Sequence, residues 1–246
     1  MAQLRDPRGG CPWDLEQDFE SLTSYTIEEA YEVADTINRG DLQHLKEELG
    51  DLLFQVVFYS QMAKEKELFN FPDVVAGLNE KMIERHPHVF NKSNESLSAA
   101  ALNEIWEQKK LIKNNNKSVL DDIPDNFPGL MRAVKLTKRA AVIGFDWPSI
   151  DPVFEKMEEE IAELKEAMLS GQMDRIKDEL GDVLFVCTNL ARHLKIDPEL
   201  AIRHANSKFE KRFRSIEILA KANQPNQMVY DLETLESLWN HVKKQE

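Results

Sequence analysis

The sequence predicts an all-α protein made of two similar helical halves. Only 9 of its 246 residues are glycine, and apolar residues recur at intervals of three and four, the spacing of one face of a helix. Glu, Lys, Leu and Ala, which favour helices, are frequent, whereas strand-like alternation is scarce. Similar segments lie on either side of a polar central stretch. The helices therefore belong to a tandem repeat.

Composition and charge exclude several classes of protein. The chain has 31 Lys and Arg residues against 44 Asp and Glu, a formal net charge of −13, which disfavours general nucleic-acid binding and attachment to anionic membranes. The best apolar run, residues 49–59, is interrupted by polar residues and is too short to span a bilayer. Cys11 and Cys187 cannot build a disulfide framework, and the charged N-terminus lacks the apolar core of a signal peptide. We therefore expect a cytoplasmic protein.

The first half defines the repeated pattern. A Glu-Glu-x-x-Glu segment at residues 28–32 is followed by Gly40 and then by Glu-Leu-Gly-Asp at residues 48–51. The second half repeats this pattern at an offset of 131 residues, which aligns 27–32 with 158–163, Gly40 with Gly171, and 47–54 with 178–185. With a shift of a few residues, 79–85 also match 206–212, and Trp106 and Lys110 match Trp239 and Lys243.

A linker separates the two copies. Residues 113–118 are polar, and residues 121–129 are rich in turn-forming Asp, Asn, Pro and Gly without helical periodicity. We predict a first helical domain over residues 1–112, a linker over 113–128 and a second helical domain over 129–246.

Acidic side chains in each copy are arranged symmetrically about its glycine. A glycine often ends a helix, so Gly40 and Gly171 each indicate a turn between two antiparallel helices. Residues equidistant from such a turn should then meet. The pairs are Glu163 with Glu179 and Glu160 with Asp182 about Gly171, and Glu32 with Glu48 and Glu29 with Asp51 about Gly40.

Such a cluster of carboxylates predicts a divalent metal. Neighbouring carboxylates in a partly dry site raise one another's pKa, which makes the cluster costly without a cation. Oxygen ligands suit the hard cation Mg²⁺, with Mn²⁺ as a possible substitute, and Mg²⁺ keeps open positions for water and phosphate. The second copy supplies one predicted site, and a second possible metal site consists of Glu29, Glu32, Glu48 and Asp51.

Further motifs make the chain resemble a known family. Besides the repeated acidic pattern, these are Arg-Asp-Pro at residues 5–7, Cys-Pro-Trp-Asp at 11–14, Arg-His-Pro-His-Val-Phe at 85–90 and Gly-Phe-Asp-Trp at 144–147. Together they resemble the MazG nucleoside triphosphate pyrophosphohydrolases. The resemblance implies tandem helical MazG-type domains with four-helix-bundle-like cores in a homodimer. It also implies Mg²⁺-dependent hydrolysis of canonical or altered nucleoside triphosphates, ATP among them, to monophosphate and pyrophosphate, in nucleotide-pool housekeeping.

The same resemblance assigns individual residues. It gives Mg²⁺ coordination to Glu160, Glu163, Glu179 and Asp182, the four that the mirrored spacing had already grouped. It makes Lys208, Arg212 and Lys243 phosphate contacts, the first two also with catalytic roles, and places Trp239 and Trp147 in substrate binding. Lys208 and Arg212 lie four residues apart within a locally basic stretch of an acidic chain. Glu159, adjacent to the ligands, is a candidate to accept a proton or to orient a ligand.

The residues alone leave alternatives open. The first copy retains every matched position, so the sequence gives no chemical reason to call it inactive. We favour the second copy as the main site because its basic charge is denser and the resemblance points there. A non-catalytic helical interaction module that binds divalent ions is the main alternative, and a phosphohydrolase that releases orthophosphate is another. The chain has no P-loop motif, and His86 and His88 lack further ligands and are interpreted as structural.

Overall fold

A computed structural model of the chain describes residues 1–90, 98, 102, 105–106, 118–223 and 227–245. These residues form ten helices and no strand, which confirms the all-α prediction. The first five are α1 (Pro12–Glu16), α2 (Thr23–Arg39), α3 (Leu45–Glu65), α4 (Phe71–Arg85) and α5 (Pro87–Phe90). The other five are α6 (Gly129–Val142), α7 (Asp151–Ser170), α8 (Met173–His193), α9 (Pro198–Asn223) and α10 (Leu232–Lys244).

Each copy of the repeat contains one helical hairpin, α2–α3 in the first and α7–α8 in the second. The helix before each turn ends at a glycine in the left-handed conformation, with φ of +70° at Gly40 and +66° at Gly171. An L-residue with a side chain is disfavoured there, which explains the glycine. At the first turn, the amides of Gly40 and Asp41 donate to the carbonyls of Ile37 and Thr36, which satisfies two of the last carbonyls of α2.

The first compact unit, Met1–Ala99, has a small apolar core. Leu22, Phe58 and Met62 are buried, and Phe19 stacks on Tyr59 beside them with ring centroids 5.9 Å apart. The N-terminal segment is tied to α3 by Arg5, whose Nη2 lies 2.8 Å from Oε2 of Glu65. Its Nη1 also donates to the carbonyls of Asp14 and Gln17.

The second compact unit, Ala100–Glu246, contains two hairpins. Helix α7 packs along α8, α6 packs against α8, and α9 packs along α10. Among its described residues, the buried apolar side chains are Ile123, Ala133, Val153, Ala167, Val186, Ile216, Ala220 and Val242. The loop that precedes α7 is fixed to the C-terminal end of α8, since Arg192 Nη1 donates to Asp146 Oδ2 at 2.9 Å.

The predicted domain limits stay a prediction. The linker prediction, 113–128, lies partly outside the described residues, which resume at Ser118, and Lys110 also lies outside them. Both cysteines are free. Among the described residues, no helix has both the length and the apolar character needed to cross a membrane.

Candidate functional site

The α7–α8 hairpin brings together three of the predicted acidic residues. Glu160 and Glu163 of α7 and Glu179 of α8 each offer a carboxylate oxygen, and these oxygens all lie within 4.8 Å of one another. Glu160 is buried, whereas Glu163 and Glu179 are half-buried. Because only Gly171 and Gln172 separate the two helices, residues at equal distances from the turn face each other. The predicted pairing of Glu163 with Glu179 follows from this short turn.

Asp182, the fourth predicted ligand, lies three residues beyond Glu179 on α8 and is exposed. It is not a member of the group whose oxygens lie within 4.8 Å.

The α2–α3 hairpin has a related cluster with different membership. Its group consists of Glu29, Glu48 and Asp51, and it leaves out Glu32, which is exposed. At the offset of 131 residues, Glu32 corresponds to Glu163. The two copies therefore keep the same acidic residues but gather different triplets.

Crowding raises the pKa of several of these carboxyl groups. At Glu29, burial and the charges of Asp51, Glu32 and other neighbours raise the pKa above its ordinary value. Burial, then Glu32 and Asp51, raise the pKa of Glu48. In the second copy, burial, then Glu160 and Glu179, raise the pKa of Glu163. Each cluster therefore stores repulsion that a cation would relieve.

Two basic residues contact the second cluster. Lys156 Nζ lies 2.8 Å from Oε1 of Glu160 and 2.7 Å from Oε1 of Glu159, and Arg175 Nε lies 3.7 Å from Oε1 of Glu179. The sequence prediction did not include either residue. The signal was available, because Lys156 stands four residues before Glu160 and Arg175 four residues before Glu179, on the same face of each helix.

The donor set of each cluster fits a hard divalent cation. Mg²⁺ binds oxygen at about 2.0–2.1 Å, so ligand oxygens on opposite sides of one ion lie roughly 4 Å apart. Three carboxylate oxygens within 4.8 Å are close to that spacing. Neither cluster contains the His or Cys ligands that zinc or copper would favour.

Basic and aromatic side chains form a second group on α9 and α10. The guanidinium of Arg212 lies 5.6 Å from the ring centroid of Trp239, and Phe209 lies 5.4 Å from the same ring. Lys208 and Lys243 are exposed, on α9 and α10 respectively. The helical spacing of Lys208 with Arg212 and of Trp239 with Lys243 had predicted shared faces, and the structure adds the contact between Arg212 and Trp239.

Two other predicted residues lie elsewhere. Trp147 is exposed in the loop before α7, one residue after Asp146, which Arg192 and His193 contact. His86, interpreted as structural, has its Nδ1 2.8 Å from the carbonyl oxygen of Met82.

The fold and the clusters define a class of all-α proteins built from repeated helical hairpins, each with acidic residues gathered near its turn. The sequence matches the MazG nucleotide pyrophosphohydrolase domain over residues 17–90 and 150–216. The chain belongs to this family, which confirms the resemblance inferred from its motifs.

Full-length relatives agree with this assignment. The nucleoside triphosphate pyrophosphohydrolase of Escherichia coli strain K12 is 48% identical over 251 residues, which cover 100% of this chain and 95% of the relative. The nucleoside triphosphate pyrophosphohydrolase/pyrophosphatase MazG of Thermotoga maritima is 40% identical over 243 residues, which cover 99% of this chain and 92% of the relative. Both relatives are enzymes, and the similarity spans both copies of the repeat.

Proposed function

We propose that this chain hydrolyses nucleoside triphosphates to nucleoside monophosphates and pyrophosphate with Mg²⁺, and that the α7–α8 hairpin carries the main site. The observation that carries the proposal is the convergence of Glu160, Glu163 and Glu179 within 4.8 Å, in a chain similar over its whole length to pyrophosphohydrolases. Nucleotide-pool housekeeping follows as the expected role.

In this proposal the three carboxylates hold the metal, with Asp182 as a fourth ligand one helical turn beyond Glu179. Mg²⁺, or Mn²⁺ in its place, supplies positive charge beside the phosphate chain and the attacking water. The buried position of Glu160 limits the movement of its side chain and keeps one ligand fixed.

Residues of α9 and α10 bind the nucleotide. Lys208, Arg212 and Lys243 neutralise the phosphates and the leaving pyrophosphate. Trp239, held beneath the Arg212 guanidinium, stacks on the base, and Trp147 offers a second ring. Because stacking does not depend on the hydrogen-bonding edge of a base, we expect a broad range of nucleotides, ATP included. Glu159 has a role in proton transfer or in orientation, and its contact with Lys156 favours orientation.

Pyrophosphate release by purified variants tests the proposal. Glu160→Gln or Glu179→Gln should lower the rate by about 100-fold or more, since each removes a charged metal ligand. The matched first-copy variants Glu29→Gln and Glu48→Gln should keep most of the activity. An unchanged rate in both second-copy variants would remove the α7–α8 cluster from the reaction, and release of orthophosphate instead of pyrophosphate would identify a different hydrolase.

Thermal unfolding separates the enzyme from the non-catalytic alternative. A non-hydrolysable nucleoside triphosphate analogue with Mg²⁺ should raise the melting temperature more than Mg²⁺ alone, because a ternary complex adds binding free energy to the folded state. Equal shifts would favour an interaction module that binds only the ion.

The protein should act as a homodimer. Helix α3 exposes Leu49, Leu53, Phe54 and Val56, and α4 exposes Phe71, Val74, Val75 and Leu78. A second copy that covers these side chains would complete a four-helix-bundle-like core, since two helices alone cannot enclose one. Sedimentation velocity should give a mass near twice the 28.4 kDa of one chain; a monomer at micromolar concentration would contradict this.

A further inference from the structure

The ammonium group of Lys156 lies beside the second carboxylate cluster, where a metal ion would otherwise balance the negative charge. This ammonium group lies 2.8 Å from Glu160 and 2.7 Å from Glu159. The Glu160 side chain is only 7% exposed, whereas that of Glu159 is 55% exposed. The same ammonium group thus bridges a buried predicted metal ligand and a solvent-accessible neighbour that is not one of the predicted ligands.

The first copy has no such residue at the matching position. At the offset of 131 residues, Tyr25 corresponds to Lys156, and its ring packs edge-on against Trp13 with centroids 5.8 Å apart. Glu29 corresponds to Glu160, and it forms the first cluster with Glu48 and Asp51. The two copies therefore match in their acidic residues and differ in the charge beside them.

We propose that Lys156 is a resident counter-ion of the α7–α8 cluster, which a divalent metal displaces from Glu160 and which Glu159 then retains. This inference rests on the metal site of the proposed function. It gives Lys156 a role in setting metal affinity and gives Glu159 a positioning role through Lys156.

Electrostatics supports the displacement. A carboxylate has two oxygens, so Glu160 has acceptor sites for both an ammonium and a metal. A monovalent and a divalent cation on one carboxylate repel each other, most strongly where water is excluded. Glu159 offers the displaced ammonium a partner already in hydrogen-bonding contact and better exposed to water. Lys156 can therefore leave Glu160 without losing every ion pair.

Mn²⁺ binding to the full chain without nucleotide tests the proposal. All variants are made in a background that carries Glu29→Gln and Asp51→Asn, which prevents metal binding at the first cluster. The electron paramagnetic resonance signal of free Mn²⁺ measures binding. Lys156→Met should tighten Mn²⁺ binding by about fivefold or more, since the metal no longer competes with an ion pair. Lys165→Met is the control, because Lys165 is exposed on the same helix and the change in net charge is identical.

Each outcome decides between the possibilities. Equal affinities in Lys156→Met and Lys165→Met would overturn the counter-ion role. Weaker binding in Lys156→Met would also overturn it and would mean that Lys156 holds Glu160 in position for the metal. If Glu160→Gln does not change Mn²⁺ binding in the background protein, no Mn²⁺ binds at this cluster. The proposed metal site would then be wrong, and this inference with it. Circular dichroism confirms that each variant is folded, and Lys156→Gln provides a second neutral variant.

The role of Glu159 has its own test in the same assay. Glu159→Gln should weaken Mn²⁺ binding about threefold more than Glu158→Gln, an exposed neighbour on the same helix, because Lys156 would then remain on Glu160. In the Lys156→Met background this difference should disappear. A difference that persists would show that Glu159 acts on the metal directly, which would overturn its positioning role.

Discussion

Replacing Asp146 by Asn should destabilise the second unit, because Asp146 fixes the loop before α7 to the end of α8. Its carboxylate accepts a hydrogen bond from Arg192 Nη1 at 2.9 Å and a second from Nη2, and His193 Nε2 lies 3.1 Å from Oδ1. The Arg192 side chain is 12% exposed and that of Asp146 is 27% exposed. Asn would keep the shape of the side chain but would lose the charge and one acceptor.

The magnitude follows from this geometry. Hydrogen bonds to charged groups contribute about 1.5–3 kcal/mol each, and removal of one partner leaves the other charge poorly solvated. Because Asp146 is partly accessible to water, the lower end of that range applies, and we expect a loss of about 2 kcal/mol in the free energy of unfolding. The control Asp174→Asn removes a carboxylate that is 98% exposed and 3.5 Å from Lys177, and it should cost less than about 0.5 kcal/mol.

The loss should depend on pH. Partial burial alone would raise the pKa of Asp146, but the hydrogen bond and charge of Arg192, together with His193, outweigh it and hold the pKa below 3.8. A carboxyl group with a lowered pKa stabilises the folded state above its ordinary pKa and loses that contribution as pH falls through the folded value. The difference between wild type and Asp146→Asn should therefore be present above pH 3.8 and shrink as the pH falls below that value.

Urea unfolding followed by circular dichroism measures these free energies, with the slope m compared between variants to exclude a change in the denatured state. A loss at pH 7 no larger than that of Asp174→Asn would refute the stabilising role of the contact. A loss of the expected size that does not decrease at pH 3 would refute its ionic origin.

Two further predictions concern the turn and the N-terminal segment. Gly171→Ala should destabilise the α7–α8 hairpin by about 1–2 kcal/mol, because Gly171 has φ of +66°. Gly181→Ala within α8, where an added Cβ meets nothing within 4 Å, should stabilise it by about 0.5–1 kcal/mol. Urea titration measures both changes, and changes of the same sign would contradict the turn assignment. Arg5→Met should lower the free energy of unfolding by about 3 kcal/mol, since it removes the ion pair between Glu65 and an Arg5 side chain that is only 10% exposed. Arg8→Met should lower it by less than about 0.5 kcal/mol, because the Arg8 side chain is 90% exposed. Similar melting temperatures for the two variants would contradict this.

In each hairpin, the sequence correctly predicted one of the two mirrored carboxylate pairs. Only residues 171–172 separate α7 from α8, so symmetry about Gly171 places Glu163 opposite Glu179 correctly. In the first copy, residues 40–44 separate α2 from α3, so the midpoint of the connection is residue 42 and not Gly40. The observed triplet there keeps the predicted pair of Glu29 with Asp51 and leaves out Glu32, whereas the second triplet keeps Glu163 with Glu179 and leaves out Asp182.

Contacts between distant parts of the chain were not predictable from helical spacing. Asp146 and Arg192 are 46 residues apart, and nothing in the periodicity of either segment indicates that they meet. The contact of Arg212 with Trp239 is of the same kind, since it requires α9 and α10 to pack together. Lys156 differs, because its spacing of four from Glu160 was visible in the sequence and its importance depends on the burial of Glu160.

The surroundings of the two clusters, more than their ligands, distinguish the copies. Matched acidic residues gave no reason to prefer either copy, and both gather three carboxylates within 4.8 Å. In the first, burial and other carboxylates raise the pKa of both Glu29 and Glu48. In the second, burial and other carboxylates raise the pKa of Glu163, and Lys156 and Arg175 contact Glu160 and Glu179. Basic side chains beside the carboxylates also favour the approach of an anionic triphosphate, and this is the physical reason for which we propose the main site at α7–α8.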